Sequence, residues 1–317
     1  MYYDRRLSDK LLETLLPGGA LDWLAQPLHG IHLPLHVEFR RDRVNNKSGM
    51  IEVYLGRTAL LAIRASTHDR FQFVADALYC DRNPEMFVGT RSIAELFGLR
   101  HQLEAHLLES AALLTGPRRA AFIKGEAIIH AGFMHRHGRE YCVRDPAMGI
   151  DTEVVLGFPS APVRDAFNST LRTAVAIPSK ESLPKKLDTL GVHRTGAIAL
   201  VEIKDIAGDL ARAVTQAAVH MYRFRHLLDL SPTHLVEVVD GHRRQKLQAG
   251  LLPIAAGEVA IRPAFVPIIA APDARHGWAD IWRSETASSR AANAPYLTGL
   301  RFWRLSEAGE ILEEVAA

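Results

Sequence analysis

The chain has 317 residues, of which 48% are hydrophobic and 23% charged, with a formal net charge of +2. This composition is typical of a globular protein with a sizeable core, in one large domain or two ordinary ones. No apolar run approaches the ~20 residues of a membrane span, and the N-terminus has no apolar signal core. The small net charge does not by itself indicate a nucleic-acid binder. The two cysteines, Cys80 and Cys142, lack metal-ligand spacing, so we expect a reducing cytoplasm rather than a disulfide framework.

The first part of the chain has the pattern of a β-rich unit. A short helix is predicted over 8–16, where a Pro-Gly-Gly breaker ends it. Strand-like runs follow at 31–40, 50–56, 58–66 and 71–79, and the polar turn at 45–49 predicts that the first two form a hairpin. The clearest amphipathic helix is predicted over 92–115, where Ser92 and Glu95 have the spacing of a capping box.

The next segment is predicted to add strands over 120–134, 140–146 and 152–158. Its three histidines, His130, His135 and His137, have no cysteine or acid at matching spacing, which favours surface imidazoles over a metal site. Pro159 and Pro162 then indicate a junction. We therefore predict a β-rich part with one long helix over 1–158 and a second part over 159–317.

The second part alternates predicted helices and strands. The helices are 162–174, 208–229 and 234–250; the extended pieces are 174–178, 187–192, 197–204, 259–269 and 297–305. A polar loop is predicted over 271–295. Its Trp278 and Trp282 are expected to pin the loop to the core rather than to stack on bases.

Three ionisable residues fall on one predicted hairpin. The turn at 193–196 lays its two strands side by side, which brings Asp188 close to Glu202 and Lys204. Glu202 and Lys204 share a face, whereas the Ile203 side chain points into the core, because strand side chains alternate. Two carboxylates at a sheet edge suit Mg²⁺, which polarises a phosphoryl oxygen and lowers the pKa of bound water.

The lysine and one backbone group complete this hypothesis. Lys204 is expected to orient or deprotonate the attacking water and to offset negative charge on phosphorus. The Ile203 carbonyl is a further candidate metal ligand. The rival interpretation is a structural salt bridge between Glu202 and Lys204.

The stretch 185–222 contains LDTLGV, Gly196, LVEIK and Gln216 in that order. In this order it resembles the core of the PD-(D/E)xK nuclease superfamily, which includes restriction-endonuclease-like folds and Holliday-junction resolvases. A looser α-β-β-β-α-β order extends the resemblance to about 162–270. The resemblance implies an α/β fold: a restriction-endonuclease-like core, with a mixed central sheet flanked by helices, joined to the β-rich N-terminal part.

The resemblance also implies roles for individual residues. Asp188 and Glu202 would bind Mg²⁺ or Mn²⁺, Lys204 would be catalytic, and Gln216 would shape the site from the following helix. Many relatives have Tyr four residues after this Gln, where the present chain has His220.

The acid that relatives carry on the helix before the sheet is not identified by the sequence. Asp165, Glu104 and Glu109 are the candidates.

The function that the resemblance implies is a Mg²⁺-dependent endonuclease cutting DNA phosphodiesters, in DNA defence, restriction or repair. Lys185, Lys186, Arg194 and Arg212 are expected to contact phosphates. Many relatives act as dimers, so a homodimer is compatible with the sequence, and RNA remains open as a substrate. The alternative is a non-catalytic nucleic-acid- or protein-binding module on a nuclease-like fold. NTPase, dinucleotide-binding and α/β-hydrolase motifs are absent from the sequence.

Overall fold

The computed structural model describes residues 1–26, 35–41, 49–67, 69–80, 84–115, 125–139, 145–175, 177, 181–205 and 209–317. Within these ranges the chain has an α/β fold with a five-stranded antiparallel sheet and a six-stranded mixed sheet. In the same ranges, no helix combines the length and the apolar character needed to cross a membrane.

The first sheet has the strand order β1-β2-β3-β4-β5. Its strands are β1 (Leu35–Arg41), β2 (Gly49–Leu55), β3 (Thr58–Thr67), β4 (Arg70–Val74) and β5 (Arg91–Ser92). The accompanying helices are α1 (Asp9–Leu15), α2 (Ala77–Cys80), α3 (Ile93–Gly98) and α4 (Arg100–Thr115). The predicted hairpin is confirmed by the antiparallel pairing of β1 with β2.

The long helix predicted over 92–115 is divided into α3 and α4. The predicted capping box is confirmed: the Ser92 hydroxyl accepts from the Glu95 amide, and the Glu95 carboxylate accepts from the Ser92 amide. The division falls at Leu99, directly after Gly98. Glycine is a poor helix former, which accounts for a break at this position.

The second sheet has the order β11-β10-β9-β8-β7-β6. Its elements are α5 (Glu126–Arg139), β6 (Ala147–Val154), α6 (Ala161–Ala174), β7 (Leu187–His193), β8 (Ala197–Ile203), α7 (Leu210–Leu230), α8 (Pro232–Gln248), β9 (Arg262–Pro272), α9 (Trp278–Glu285), α10 (Ala287–Ala292), β10 (Arg301–Leu305) and β11 (Ile311–Ala316). β6, β7 and β8 form an antiparallel meander, β8, β9 and β10 are parallel, and β11 is an antiparallel edge strand.

Helices cover both faces of this sheet. Along β8, Ala199 and Val201 pack in one cluster with Phe133 of α5. Ile198 and Leu200, which alternate with them, pack with Phe224 of α7 on the other face. The observed architecture is therefore a mixed central sheet flanked by helices, as predicted at that level.

The strand predicted over 120–134 is wrong, because residues 126–139 form helix α5. Ile129 and Phe133 of this helix recur at helical spacing and are buried against the sheet. His130 and His137, expected at the surface, are buried. A short apolar run does not distinguish strand from buried helix by periodicity alone, which explains the error. The predicted strand over 140–146 lies, except for its last two residues, outside the described ranges, as does Cys142.

The three-strand meander begins earlier in the chain than predicted. Its first strand is β6, at 147–154, and the segment 174–178 does not supply it: α6 continues to Ala174, and residues 176 and 178 lie outside the described ranges. The α-β-β-β-α-β order consequently starts at α5, with α6 inserted between β6 and β7. The predicted boundary after residue 158 does not coincide with the division between the two sheets.

The polar loop predicted over 271–295 instead contains helices α9 and α10. Trp278 and Trp282 are buried, which confirms that they pin this segment to the core. The Trp282 indole N–H donates to Asp273 at 2.7 Å, and the Trp278 indole N–H donates to Glu313 on β11 at 3.0 Å. β11 itself was not predicted.

Candidate active site

The antiparallel register of β7 and β8 brings the predicted acid pair together. Thr189 is paired with Val201, so the next positions towards that end of the hairpin are Asp188 and Glu202. The backbone amide of Lys204 donates to the Ala270 carbonyl at 2.8 Å, which continues the β8–β9 ladder. The Lys204 Nζ atom lies 3.5 Å from Glu202 Oε2 and 3.6 Å from Asp188 Oδ2.

Ile203 contributes two backbone groups to this cluster. Its side chain is buried among residues that contact α5, on the face predicted for it. Its amide donates to Asp188 Oδ2 at 2.9 Å, and its carbonyl accepts from Lys204 Nζ at 3.1 Å. The carbonyl oxygen named as a candidate ligand therefore faces the cluster.

A further carboxylate, from Glu126 at the start of α5, approaches the same ammonium. Glu126 Oε2 lies 3.8 Å from Lys204 Nζ, and its side chain is 28% exposed. Sequence reasoning missed Glu126 because this segment was predicted as a strand. Once the segment is known to be a helix, Glu126 is identified as its candidate site residue, because it is the sole acid within α5.

None of the three predicted candidates for the helix acid contacts the cluster in the described structure. Asp165 is exposed and pairs with Arg164, Glu104 pairs with Arg100, and Glu109 is exposed on α4. We call Asp188, Glu202, Glu126 and Lys204 the acid–lysine cluster.

Burial dominates the electrostatics of this cluster. It raises the pKa of Asp188 to about 6, with a further contribution from Glu202, and it raises the pKa of Glu202 to about 7 against the opposing effect of Lys204. Burial would lower the pKa of Lys204, but Asp188 and the two glutamates more than compensate and raise it above its usual value. Lys204 is therefore an ammonium at neutral pH, which favours charge stabilisation over proton abstraction from water.

Helix α7 packs against the Glu202 face of the sheet and brings one polar side chain to Glu202 itself. His220 Nε2 lies 3.2 Å from Glu202 Oε1, and burial lowers the pKa of this imidazole to about 3. Gln216 lies one turn earlier, and its buried Oε1 atom has no hydrogen-bond partner. The sequence pattern identified Gln216 but assigned no role to His220, the residue that contacts an acid.

His220 and Glu202 face each other through two buried polar atoms that have no hydrogen-bond partner. Despite their 3.2 Å separation, these two atoms do not have hydrogen-bond geometry, and both lack a partner. His220 also makes a hydrogen bond with the Lys186 backbone. A neutral ring that donates to that carbonyl from Nδ1 presents the Nε2 lone pair to the carboxylate. Two such acceptors face each other favourably only when a proton or a cation joins them.

The side-chain oxygens of this cluster are of the kind that bind a hard divalent cation, but their present arrangement does not form a metal site. Among the residues that the structure describes, no group of three or more His, Cys, Asp or Glu side chains is arranged to hold a metal ion. The carboxylates instead surround the Lys204 ammonium, with their oxygens 3.5–3.8 Å from its Nζ atom. Their chemistry fits Mg²⁺ or Mn²⁺: they are oxygen donors, and Glu202 Oε1 is buried without a hydrogen-bond partner.

Arg57, from the first sheet, reaches the same cluster. Its guanidinium pairs with Glu126, lies 2.7 Å from Glu153 Oε1 and is 3.6 Å from Asp188 Oδ1. Glu153 on β6 pairs in turn with Lys186. Sequence reasoning missed Arg57 because it lies far from the hairpin in sequence and carries no recognisable motif.

The predicted phosphate-contacting residues are divided between two ends of the sheet. Lys185 and Lys186 are exposed directly before β7, at the end occupied by the acids. Arg212 is exposed in the first turn of α7 and lies 3.7 Å from Glu181. Arg194 lies in the β7–β8 turn, at the other end of the hairpin and roughly 16 Å along the strand from Asp188. There it pairs with Glu314 of β11. The structure does not bring Arg194 to the acid–lysine cluster.

No protein-family model, curated protein or solved structure matches this chain.

Proposed function

We propose that this protein is a Mg²⁺- or Mn²⁺-dependent nuclease with a PD-(D/E)xK restriction-endonuclease-like core. The observation that carries the proposal is the convergence of Asp188, Glu202 and Glu126 on Lys204 at one end of a mixed sheet. The order α5-β6-β7-β8-α7-β9, with α6 inserted after β6 and α8 after α7, supports the resemblance, and Glu126 lies on the helix that precedes the meander.

The metal would be held by Asp188, Glu202 and the Ile203 carbonyl, with Glu126 as the acid from the preceding helix. When bound there, Mg²⁺ or Mn²⁺ supplies Lewis-acid polarisation of a phosphoryl oxygen and a bound water of lowered pKa. Burial makes the ionised forms of Asp188 and Glu202 unfavourable in the metal-free protein, so a cation at their oxygens relieves that cost.

The chain's own groups would perform the remaining tasks. Lys204, protonated and held by its carboxylates, offsets the negative charge that develops on the phosphorus oxygens. The neutral His220 imidazole lies against Glu202 Oε1 on the α7 side, and the unpartnered amide oxygen of Gln216 would accept a hydrogen bond from a substrate or water. Lys185, Lys186 and Arg212 contact the backbone phosphates of DNA without reading its sequence.

A cleavage assay tests the proposal. Supercoiled plasmid and single-stranded DNA are incubated with Mg²⁺ or Mn²⁺ and wild type, Lys204→Ala or Asp188→Ala. We expect metal-dependent cutting by wild type and a loss of about 10²–10³-fold or more in each variant, because each removes transition-state charge stabilisation or metal binding. RNA of the same length is included, since the site chemistry does not distinguish the two.

A matched pair of acids serves as the internal control. Glu126→Gln should reduce cleavage strongly, whereas Asp165→Asn, on the exposed surface of α6, should leave it unchanged. The alternative function, a non-catalytic binding module, predicts a different pattern. In that case wild type cuts none of the substrates, and the variants bind DNA as wild type does.

A further inference from the structure

The β2–β3 turn directs one arginine away from its own sheet and into the acid–lysine cluster. Leu55 pairs with Thr58, so Gly56 and Arg57 form a two-residue hairpin loop. Gly56 has φ +60°, and an added Cβ would lie 3.5 Å from the Ala127 carbonyl of α5. Glycine is favoured at the first position of such turns. The turn therefore seats Arg57 beside the start of α5, where Glu126 lies.

Arg57 contacts acids from three separate elements. They are Glu126 on α5, Glu153 on β6 and Asp188 on β7. Its Nε atom donates to Glu153 at 2.8 Å, which leaves the Asp188 contact, at 3.6 Å, the longer one. The side chain is 35% exposed, more than that of Lys204 at 12%. Solvent, and hence a substrate, therefore reaches Arg57 more easily than Lys204.

The seven charged side chains that pair with one another at this site carry a small excess of negative charge. The carboxylates of Asp188, Glu202, Glu126 and Glu153 face the cations Lys204, Arg57 and Lys186, which leaves one net negative charge when all are ionised. One divalent cation together with one phosphodiester adds one net positive charge. These seven groups with both ligands would be neutral overall, and a cation held by the carboxylates would lessen their competition for Arg57.

Arg57 also lines a cavity of about 650 Å³. The cavity extends over β3 and the segment around Tyr79, and it includes Ala62 and Asp76 among its lining residues. Its volume falls within the roughly 300–1,000 Å³ of ordinary ligand pockets. A nucleotide next to the cleaved bond has room there, and Arg57 is the lining residue that also contacts Glu126 and Asp188.

We propose that Arg57 is a phosphate-binding residue of this site, which moves from the acids onto the scissile phosphodiester when metal and substrate bind. The first sheet then completes the site rather than only presenting substrate to it. A guanidinium is suited to this role because its fork of N–H donors binds two phosphate oxygens at once. The proposal rests on the nuclease function proposed above.

Single-turnover cleavage of plasmid DNA, measured against enzyme concentration, separates substrate affinity from the cleavage rate. Arg57→Ala is expected to lower the rate about 10²–10³-fold and to raise the half-saturating concentration. Arg57→Lys should restore part of the affinity but little of the rate, because an ammonium lacks the fork. Added guanidinium ion, at millimolar concentration, should partly rescue Arg57→Ala. The matched control is Arg64→Ala, whose arginine bonds to Gln72 on the first sheet.

A second variant distinguishes phosphate binding from a purely structural ion pair. Glu153→Gln removes the charge of the acid that accepts from Arg57 Nε, and it leaves the acid–lysine cluster intact. Phosphate binding predicts that Glu153→Gln keeps wild-type affinity or improves it. A structural role predicts that Glu153→Gln loses as much activity as Arg57→Ala, with a parallel loss of melting temperature and no rescue by guanidinium.

The outcomes also separate this inference from the function on which it rests. Active wild type combined with unchanged rate and affinity in Arg57→Ala would overturn the role of Arg57 alone. A wild-type protein that cuts neither DNA nor RNA would overturn the nuclease function, and the role of Arg57 with it. Loss of the rate in Arg57→Ala, its rescue by guanidinium and normal cleavage by Arg64→Ala would support the inference.

Discussion

Two buried aspartates on neighbouring strands have opposite electrostatic environments. Asp151 on β6 accepts from Arg40 at 2.6 Å, from the Tyr3 hydroxyl at 3.0 Å and from the Thr152 amide at 2.8 Å. Burial would raise its pKa, but Arg5 and Arg40 hold that pKa well below the usual range. Asp188 on β7 is also buried, yet its pKa is raised to about 6.

The difference between the two carboxyl groups lies in their partners. Asp151 belongs to a network that joins the two sheets: Arg40 reaches it from β1, and the Lys246 ammonium on α8 donates to Glu38 on β1 at 2.8 Å. Asp188 shares its lysine with two other acids. A buried carboxylate that accepts several direct hydrogen bonds stabilises the fold, whereas a buried carboxylate whose cations are shared with other acids is a candidate ligand site.

The largest expected effect comes from breaking the Asp151 network. Asp151→Ala should lower the free energy of unfolding by about 3–5 kcal/mol, because it leaves Arg40 and Arg5 buried without their counter-charge. Urea denaturation measures the loss. Asp188→Asn should cost far less, and equal losses in the two variants would remove the contrast between the two aspartates.

The pH dependence of stability sharpens the comparison. The folded-state pKa values of Asp188 and Glu202 are raised to about 6 and about 7, so the folded protein holds these protons more tightly than the unfolded chain. Their contribution to stability is present at low pH and is lost as the pH rises from about 4 to 7. For Asp188 the loss is on the order of 3 kcal/mol. Urea denaturation in EDTA should show it in wild type but not in Asp188→Asn/Glu202→Gln, and parallel profiles would contradict it.

Stabilisation by a bound metal should depend on Asp188 and not on Asp151. At a hundredfold excess over its dissociation constant, Mn²⁺ should stabilise wild type by about 2.7 kcal/mol. Thermal melts should show this gain in Asp151→Ala, if it folds, and not in Asp188→Asn/Glu202→Gln. The gain should shrink below pH 6, since protons compete for the same carboxylates. An equal gain in the double variant would place the metal elsewhere.

The smallest expected effect concerns the rim of the Asp188 end. Lys186→Ala should change the free energy of unfolding by less than about 1 kcal/mol, because its pair with Glu153 is half exposed. It should weaken DNA binding and reduce the slope of the logarithm of the binding constant against the logarithm of salt concentration by about one. Arg194→Ala, at the far end of the hairpin, is the control in a fluorescence-anisotropy titration, and the same loss there would indicate diffuse electrostatic binding.

The contents of the acid–lysine cluster were only partly predictable. The hairpin that carries Asp188, Glu202 and Lys204 is a local structure, whose turn and apolar runs fix its register. The same holds for α7, where a four-residue interval puts Gln216 and His220 on one face. Glu126 was missed because the periodicity of a short apolar segment does not separate a strand from a buried helix.

The amino-acid sequence by itself determined the hairpin of acids and lysine, because short-range spacing and side-chain alternation specify such an element. The mixed sheet around it was expected only from the family resemblance. The tertiary structure alone decided which acid joins them from α5, and that Arg57 reaches them from the first sheet. It also decided that Asp151 is paired while Asp188 lacks a cation of its own. These features depend on contacts between segments far apart in the chain, and no local pattern encodes the partner of a buried charge.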